Sequence, residues 1–130
     1  MKSFRRLALL VLTTGLGGVF FEPARAAELD IPGSYGNEKG CAYAGRGDFV
    51  GDDLLLLTRN EVMTFVTSCS FVQIFPAEAD SQVAIVTCGH EGEGETTLSM
   101  MRVQKSQDGV DAHLIFDQDG TMWGKAGRCP

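Results

Sequence analysis

From Gly33 onward, apolar and polar residues alternate in short runs broken by turn-forming residues, the period of half-buried strands. Leu54-Leu-Leu-Leu-Thr58 and Glu61-Val-Met-Thr-Phe-Val66 flank Arg59-Asn60, which fits a tight turn. Cys69-Ser-Phe-Val-Gln-Ile-Phe75 and Gln82-Val-Ala-Ile-Val-Thr-Cys88 are rich in β-formers and enclose a polar loop, Pro76 to Ser81. Thr97 to Val103 and Val110 to Phe116 flank Asp108-Gly109, a strong hairpin signal. A last short strand, Thr121 to Lys125, carries the only tryptophan, Trp123. Gly33 to Gly36 leads into the first strand, and the stretch from Gly45-Arg-Gly-Asp48 to Asp52-Asp53 reads as loop. Apart from the first segment of the chain, no window sustains a 3.6-residue period. The pattern predicts an all-β domain, a small antiparallel meander of about seven strands forming a barrel or sandwich.

Two registers follow. Setting Phe75 opposite Gln82 places Cys69 opposite Cys88, Val72 against Ile85 and Ile74 against Val83. In the later hairpin, Met101 and Val103 face Phe116 and Leu114, and His113 pairs with Gln104 at a surface or core-edge position.

Residues 1–26 are set apart from this pattern. Met1 to Arg6 is short and basic, Leu7 to Phe21 is an apolar run, and Ala24-Arg-Ala26 gives the small-x-small pattern of a signal-peptidase site. The run is short for a spanning helix. The expected organisation is a signal peptide, 1–26, cleaved after Ala26, and a disulfide-bonded domain, 27–130, in the periplasm. Four cysteines in an exported chain imply two bridges. No close Cys pair exists for zinc, a redox motif or haem. The hairpin register pairs Cys69 with Cys88 and leaves Cys41 with Cys129. Closing that loop of about 90 residues stabilises by roughly 4 kcal/mol on a chain-entropy account.

Charge narrows the function. The whole chain has a net charge of −6, and removing four basic and one acidic residue of the signal leaves 7 basic against 16 acidic groups, a net of −9. Such a surface repels nucleic acid and steers cationic partners. With 44% hydrophobic residues, the composition is that of a folded domain. Enzyme chemistry is poorly represented. There are two histidines, His90 and His113, and no nucleophile elbow, P-loop or dinucleotide-binding glycine motif. The expectation is a protein that is not an enzyme and needs no cofactor and no metal. Asp117-x-Asp119-Gly120 matches a fragment of a calcium loop but lacks its later ligands. Arg46-Gly47-Asp48 spells an adhesion tripeptide of a kind that recurs by chance.

The most distinctive stretch is Gly89-His-Glu-Gly-Glu-Gly-Glu95, three glutamates alternating with glycines directly after a bridged cysteine. Glycine lets the backbone present its neighbours' carboxylates and approach a partner closely. The candidate partner-binding residues are His90, Glu91, Glu93 and Glu95, with Asp52 and Asp53 as rim charges.

The Gly33-Ser-Tyr-Gly36 segment, the cysteine order, Cys88 to Glu95 and the Arg128-Cys129 ending together resemble a class of small Gram-negative periplasmic proteins. Members of that class look like inhibitors of peptidoglycan hydrolases. The resemblance implies an envelope-protecting inhibitor whose partner is a basic muramidase-type enzyme, a lysozyme or a lytic transglycosylase. The chain departs from the better-known c-type lysozyme inhibitors, because it has no Ser-Gly-x-x-Tyr motif to plug the lysozyme cleft. The alternative is a small ligand-binding or structural barrel of the envelope, with an apolar cavity lined by Phe65, Phe71, Phe75 and Phe116.

Overall fold

The four consecutive leucines, Leu54 to Leu57, are all buried. A strand buried on both faces reads as an unbroken apolar run rather than an alternation. The structure, a computed structural model describing residues 27–49 and 51–130, shows what covers both faces. Strand β1 (Tyr35–Gly36) is followed by a helix, α1 (Glu38–Arg46), and then by β2 (Leu55–Leu57). The helix packs against β2 on the outside, while Leu55 and Leu57 join the core within. The expected signal peptide and its cleavage site lie outside the described residues.

The remaining strands are β3 (Glu61–Thr64), β4 (Thr67–Ala77), β5 (Ser81–His90), β6 (Thr96–Lys105), β7 (Ala112–Phe116) and β8 (Met122–Arg128). Each pairs antiparallel with the next, and β1 pairs with both β2 and β8, which closes an eight-stranded barrel. The predicted all-β fold and both predicted disulfides are present: Cys41–Cys129 and Cys69–Cys88. Inward positions of successive strands fill the interior, among them Val62, Phe71, Val86, Val103 and Ile115. An interior of eight strands is about wide enough for side chains alone.

Several expectations need correction. The segment from Gly45 is not all loop, because α1 runs to Arg46. Asn37 caps it, its side chain accepting from the Gly40 N–H, and Gly47 ends it at φ +73. Left-handed backbone of that kind suits glycine. The Arg46-Gly47-Asp48 tripeptide is thus a helix terminus, with Arg46 Nε donating to Asp48 Oδ2 at 2.9 Å.

The β4–β5 register holds at Cys69↔Cys88 but shifts by one at a bulge between Phe71 and Gln73. Ile74 therefore faces Ala84 and Phe75 faces Val83, and Val72 is left exposed rather than opposite Ile85. Unbroken alternation from Phe71 would carry the Gln73 amide into the core. Burial without partners costs a polar group several kcal/mol, roughly. The bulge puts Gln73 outside and packs Ile74 against the core instead.

The β6–β7 register is also one residue from the expected one. Arg102 pairs with Phe116, Val103 with Ile115 and Lys105 with His113. Ile115 and His113 face inward, both buried, and Leu114 and Phe116 face outward. Phe116 is covered by the Arg102 guanidinium, 4.3 Å from its ring. The four phenylalanines expected to line one cavity do not converge: Phe71 is in the core, Phe65 and Phe75 are exposed, and Phe116 lies under Arg102.

Buried His113 makes stability depend on pH. Desolvation pushes its imidazole below the usual histidine range, Lys105 adds to the effect, and Asp111 opposes it. The unfolded chain therefore takes up a proton that the folded chain refuses, and stability is lost as pH falls through the ordinary histidine range. Denaturation midpoints should drop between about pH 7.5 and about pH 5. His113→Gln should remove part of that drop, and an unchanged slope would exclude this histidine as its source.

Candidate functional site

The acidic loop starts where β5 ends. His90 is the last residue of β5, and its Nδ1 lies 2.8 Å from Thr67 Oγ1. The Glu91 N–H donates to the Val66 carbonyl at 2.8 Å, and the Glu93 N–H to the His90 carbonyl at 3.1 Å. Gly92 turns the chain at φ +81, a conformation that costs a side-chain-bearing residue about 1 kcal/mol or more. Two residues before His90, the Cys69–Cys88 bridge ties β5 to β4. The loop base is consequently anchored by a covalent link and by backbone hydrogen bonds, while Glu91, Glu93 and Glu95 are all exposed.

Beside this base opens a shallow, mainly apolar cleft of about 550 Å³. His90 and Glu91 form one wall, and Phe49, Met63, Phe65 and Val66 form much of the rest. Phe65 and Val66 leave β3 for the turn into β4 rather than extending the strand, and they are 39% and 52% exposed. Phe49 stacks near Phe65 at 6.2 Å between ring centroids, and Tyr43 of α1 stacks on Phe49 at 4.4 Å. A row of aromatic rings thus runs from the helix to the cleft.

The predicted site residues divide. His90 and Glu91 meet at the cleft, Glu93 and Glu95 stand on the loop beyond it, and Asp52 and Asp53 do not line it. Asp53 is in addition committed: its carboxylate pairs with Lys39, and its carbonyl accepts from the Asn37 side chain. The Lys39 ammonium holds the Asp53 carboxyl below the usual carboxylate range. Asp52 is exposed. The aromatic wall as such was not expected from the sequence: Phe65 was expected to line a cavity, but with Phe71, Phe75 and Phe116 rather than with Phe49 and Val66. Its signal was Phe49, an apolar residue set among glycines and aspartates, and the apolar pair Phe65-Val66, which breaks the alternation of its strand.

Asp117, of the Asp117-x-Asp119-Gly120 fragment, organises a turn. Its Oδ1 accepts from the N–H groups of Asp119 and Thr121 at 3.0 and 2.9 Å, which builds the turn into β8. Among the described residues, no three His, Cys, Asp or Glu side chains are placed to hold a metal ion. Among the same residues, no helix is long and apolar enough to cross a membrane. No protein-family model matches the chain, and neither a curated protein nor a solved structure does.

Proposed function

We propose that this chain is a periplasmic inhibitor of a peptidoglycan hydrolase, a lysozyme or a lytic transglycosylase, and that it docks by the Glu91–Glu95 loop and the adjoining aromatic cleft. One observation carries this reading: three exposed carboxylates on a loop with an anchored base, directly beside exposed Phe49, Phe65 and Val66. Protein interfaces combine such elements, an apolar anchor that excludes water and charges that steer the encounter. Acidic groups suit a basic partner, and the chain's acidity extends the attraction beyond contact distance. An anchored loop also loses little conformational entropy when it binds. The two disulfides fit a domain that works in an oxidising envelope compartment.

Cell-wall clearing by a lysozyme and by a lytic transglycosylase, measured with and without the oxidised protein, tests the reading. Dose-dependent loss of clearing is the expected result for one of the two enzymes. If neither enzyme is slowed, the inhibitor reading falls. Replacing Glu91, Glu93 and Glu95 together by glutamine should weaken inhibition roughly tenfold at low salt, since each exposed charge contributes up to about 1 kcal/mol. The same change should flatten the salt dependence. Inhibition that is unchanged in the triple variant would remove the loop from the account.

A further inference from the structure

The ladder between β6 and β7 is short. Strand β5 pairs with β6 from Thr96 to Gln104, but β7 pairs only with Arg102 to Lys105. Thr96 to Met101 therefore have a strand neighbour on one side alone. Among the described residues, no backbone hydrogen bond reaches them from the other side. Gln118, of the turn into β8, accepts from the Ser99 hydroxyl at 3.2 Å, a bond between side chains that leaves the backbone edge free.

An open edge offers alternate N–H and C=O groups to any extended chain, and folded proteins blunt such edges with charges, prolines or bulges. Strand β4 shows these devices. Past Ser70 it too has no paired position in β3, yet that stretch is bulged between Phe71 and Gln73 and carries Pro76. Thr96-Thr-Leu-Ser-Met-Met101 has none of them. It is uncharged, lacks proline, and runs in unbroken register with β5. Its outward side chains are apolar and exposed, Leu98 at 72% and Met100 at 50%.

Symmetry and charge both point to a second copy of the same edge as the occupant. Antiparallel pairing of two identical strands is symmetric about a two-fold axis, so one edge completes the other. Outward residues must meet outward ones if the two sheets are to share a face. With Leu98 on the axis, Thr96 meets Met100 of the other copy on the outer face, and Thr97 meets Ser99 on the inner one. This register leaves the positions held by β7 untouched. Glu95 precedes the stretch and Arg102 follows it, both exposed. Arg102 has no carboxylate within ion-pairing distance among the described residues. Antiparallel pairing sets the Glu95 end of each copy beside the Arg102 end of the other.

We infer that two copies of this chain associate edge to edge through Thr96–Met100 of β6, antiparallel about Leu98, into one continuous sheet. The association is independent of the inhibitor reading, and it is measured on the protein alone. The interface is small, so half-dissociation on the order of 100 µM is expected.

Sedimentation of the oxidised protein from roughly 10 µM to 1 mM tests the association, with Leu98→Lys and Val72→Lys alongside. The native protein should pass from monomer to dimer, and amide exchange in Thr96–Met100 should slow as concentration rises. Leu98→Lys sets two ammonium groups opposite each other on the axis. It should weaken association at least about tenfold without lowering the melting temperature, because the side chain it replaces is exposed. Val72, 52% exposed, lies on β4, two strands from the edge, and Val72→Lys should dimerise as the native protein does. Three results would each overturn the proposal: a native protein still monomeric at about 1 mM, Leu98→Lys associating as tightly as the native chain, or Val72→Lys losing the dimer to the same extent.

Discussion

Alanine at Gly40 should unseat α1 and destabilise the protein by about 3 kcal/mol or more. A Cβ there would sit 1.8 Å from the Leu55 carbonyl oxygen and 2.6 Å from its carbon. Both are backbone atoms, so no side chain can swing aside. The contact is held from three directions: Asn37 Oδ1 accepts from the Gly40 and Leu55 N–H groups at 2.8 and 3.1 Å, and the Asn37 N–H donates to the Leu55 carbonyl at 3.0 Å. Moving the helix outward to admit a methyl group would break these bonds together. Gly45, in the same helix, is the control, because nothing lies within 4 Å of a Cβ placed there. Gly45→Ala should stabilise by up to about 1 kcal/mol through helix propensity. Melting temperatures measure the contrast, with a fall of roughly 15 °C expected at Gly40 and a slight rise at Gly45. Equal effects would show that the helix does not need its close approach to β2. The consequence for the cleft is direct, since Tyr43 of α1 packs on Phe49, which walls it.

That helix also shows where the sequence stops being readable. Its closest contact with the barrel is made by a glycine, so the inward face of α1 carries no large apolar side chain to mark it, and only Gly40 of its nine residues is buried. The signs it did leave were its caps, Asn37 with Glu38 at the start and Arg46-Gly47 at the end. The strands were legible because their alternation survives in β3, β5 and β6, and because one hairpin register could satisfy two cysteines at once. Beyond Phe71 the same reasoning failed, since a bulge adds a residue without altering composition. In β7 it failed for a different reason: the register expected around the Asp108-Gly109 turn was one residue off, so His113 pairs with Lys105 rather than Gln104 and faces inward at the barrel's end. Half of the candidate site was legible in the same way. The carboxylates of the loop stand in a contiguous stretch, but the aromatic wall is assembled from the segment after α1 and the β3–β4 turn, which only folding brings together.

Removing the Cys41–Cys129 bridge should open the barrel at its seam before it unfolds the rest. Closure depends on β1, which is two residues long and offers two paired positions to β2 and two to β8. Elsewhere the ladders are longer, and β4 and β5 share ten paired positions around their own bridge. The seam bridge joins Cys41 of α1 to Cys129, just beyond β8, across 88 residues of sequence. Constraining a loop of that length stabilises by about 4.5 kcal/mol on the chain-entropy account, against about 3.3 kcal/mol for a loop of about 20 residues like that of Cys69–Cys88. Most of the stability of a domain this small is of that order. With alanine at both Cys41 and Cys129, the denaturation midpoint should fall steeply. Amide exchange should accelerate first in α1, β1 and β8, where few hydrogen bonds remain to hold the strands. Alanine at both Cys69 and Cys88 should leave that order unchanged, and its local losses should fall instead on the base of the acidic loop. Uniform acceleration throughout the barrel in the seam variant would mean that closure does not depend on the bridge. The same pair of variants separates the two ends of the fold: loss of the seam should disturb the cluster in which Tyr35 donates to Asp111 and Arg128 pairs with it, because Tyr35 and Arg128 are directly paired across the seam. The Glu91–Glu95 loop should keep its conformation, read as unchanged amide chemical shifts, at temperatures below the lowered midpoint, since its anchors lie on β4, β5 and the β3–β4 turn.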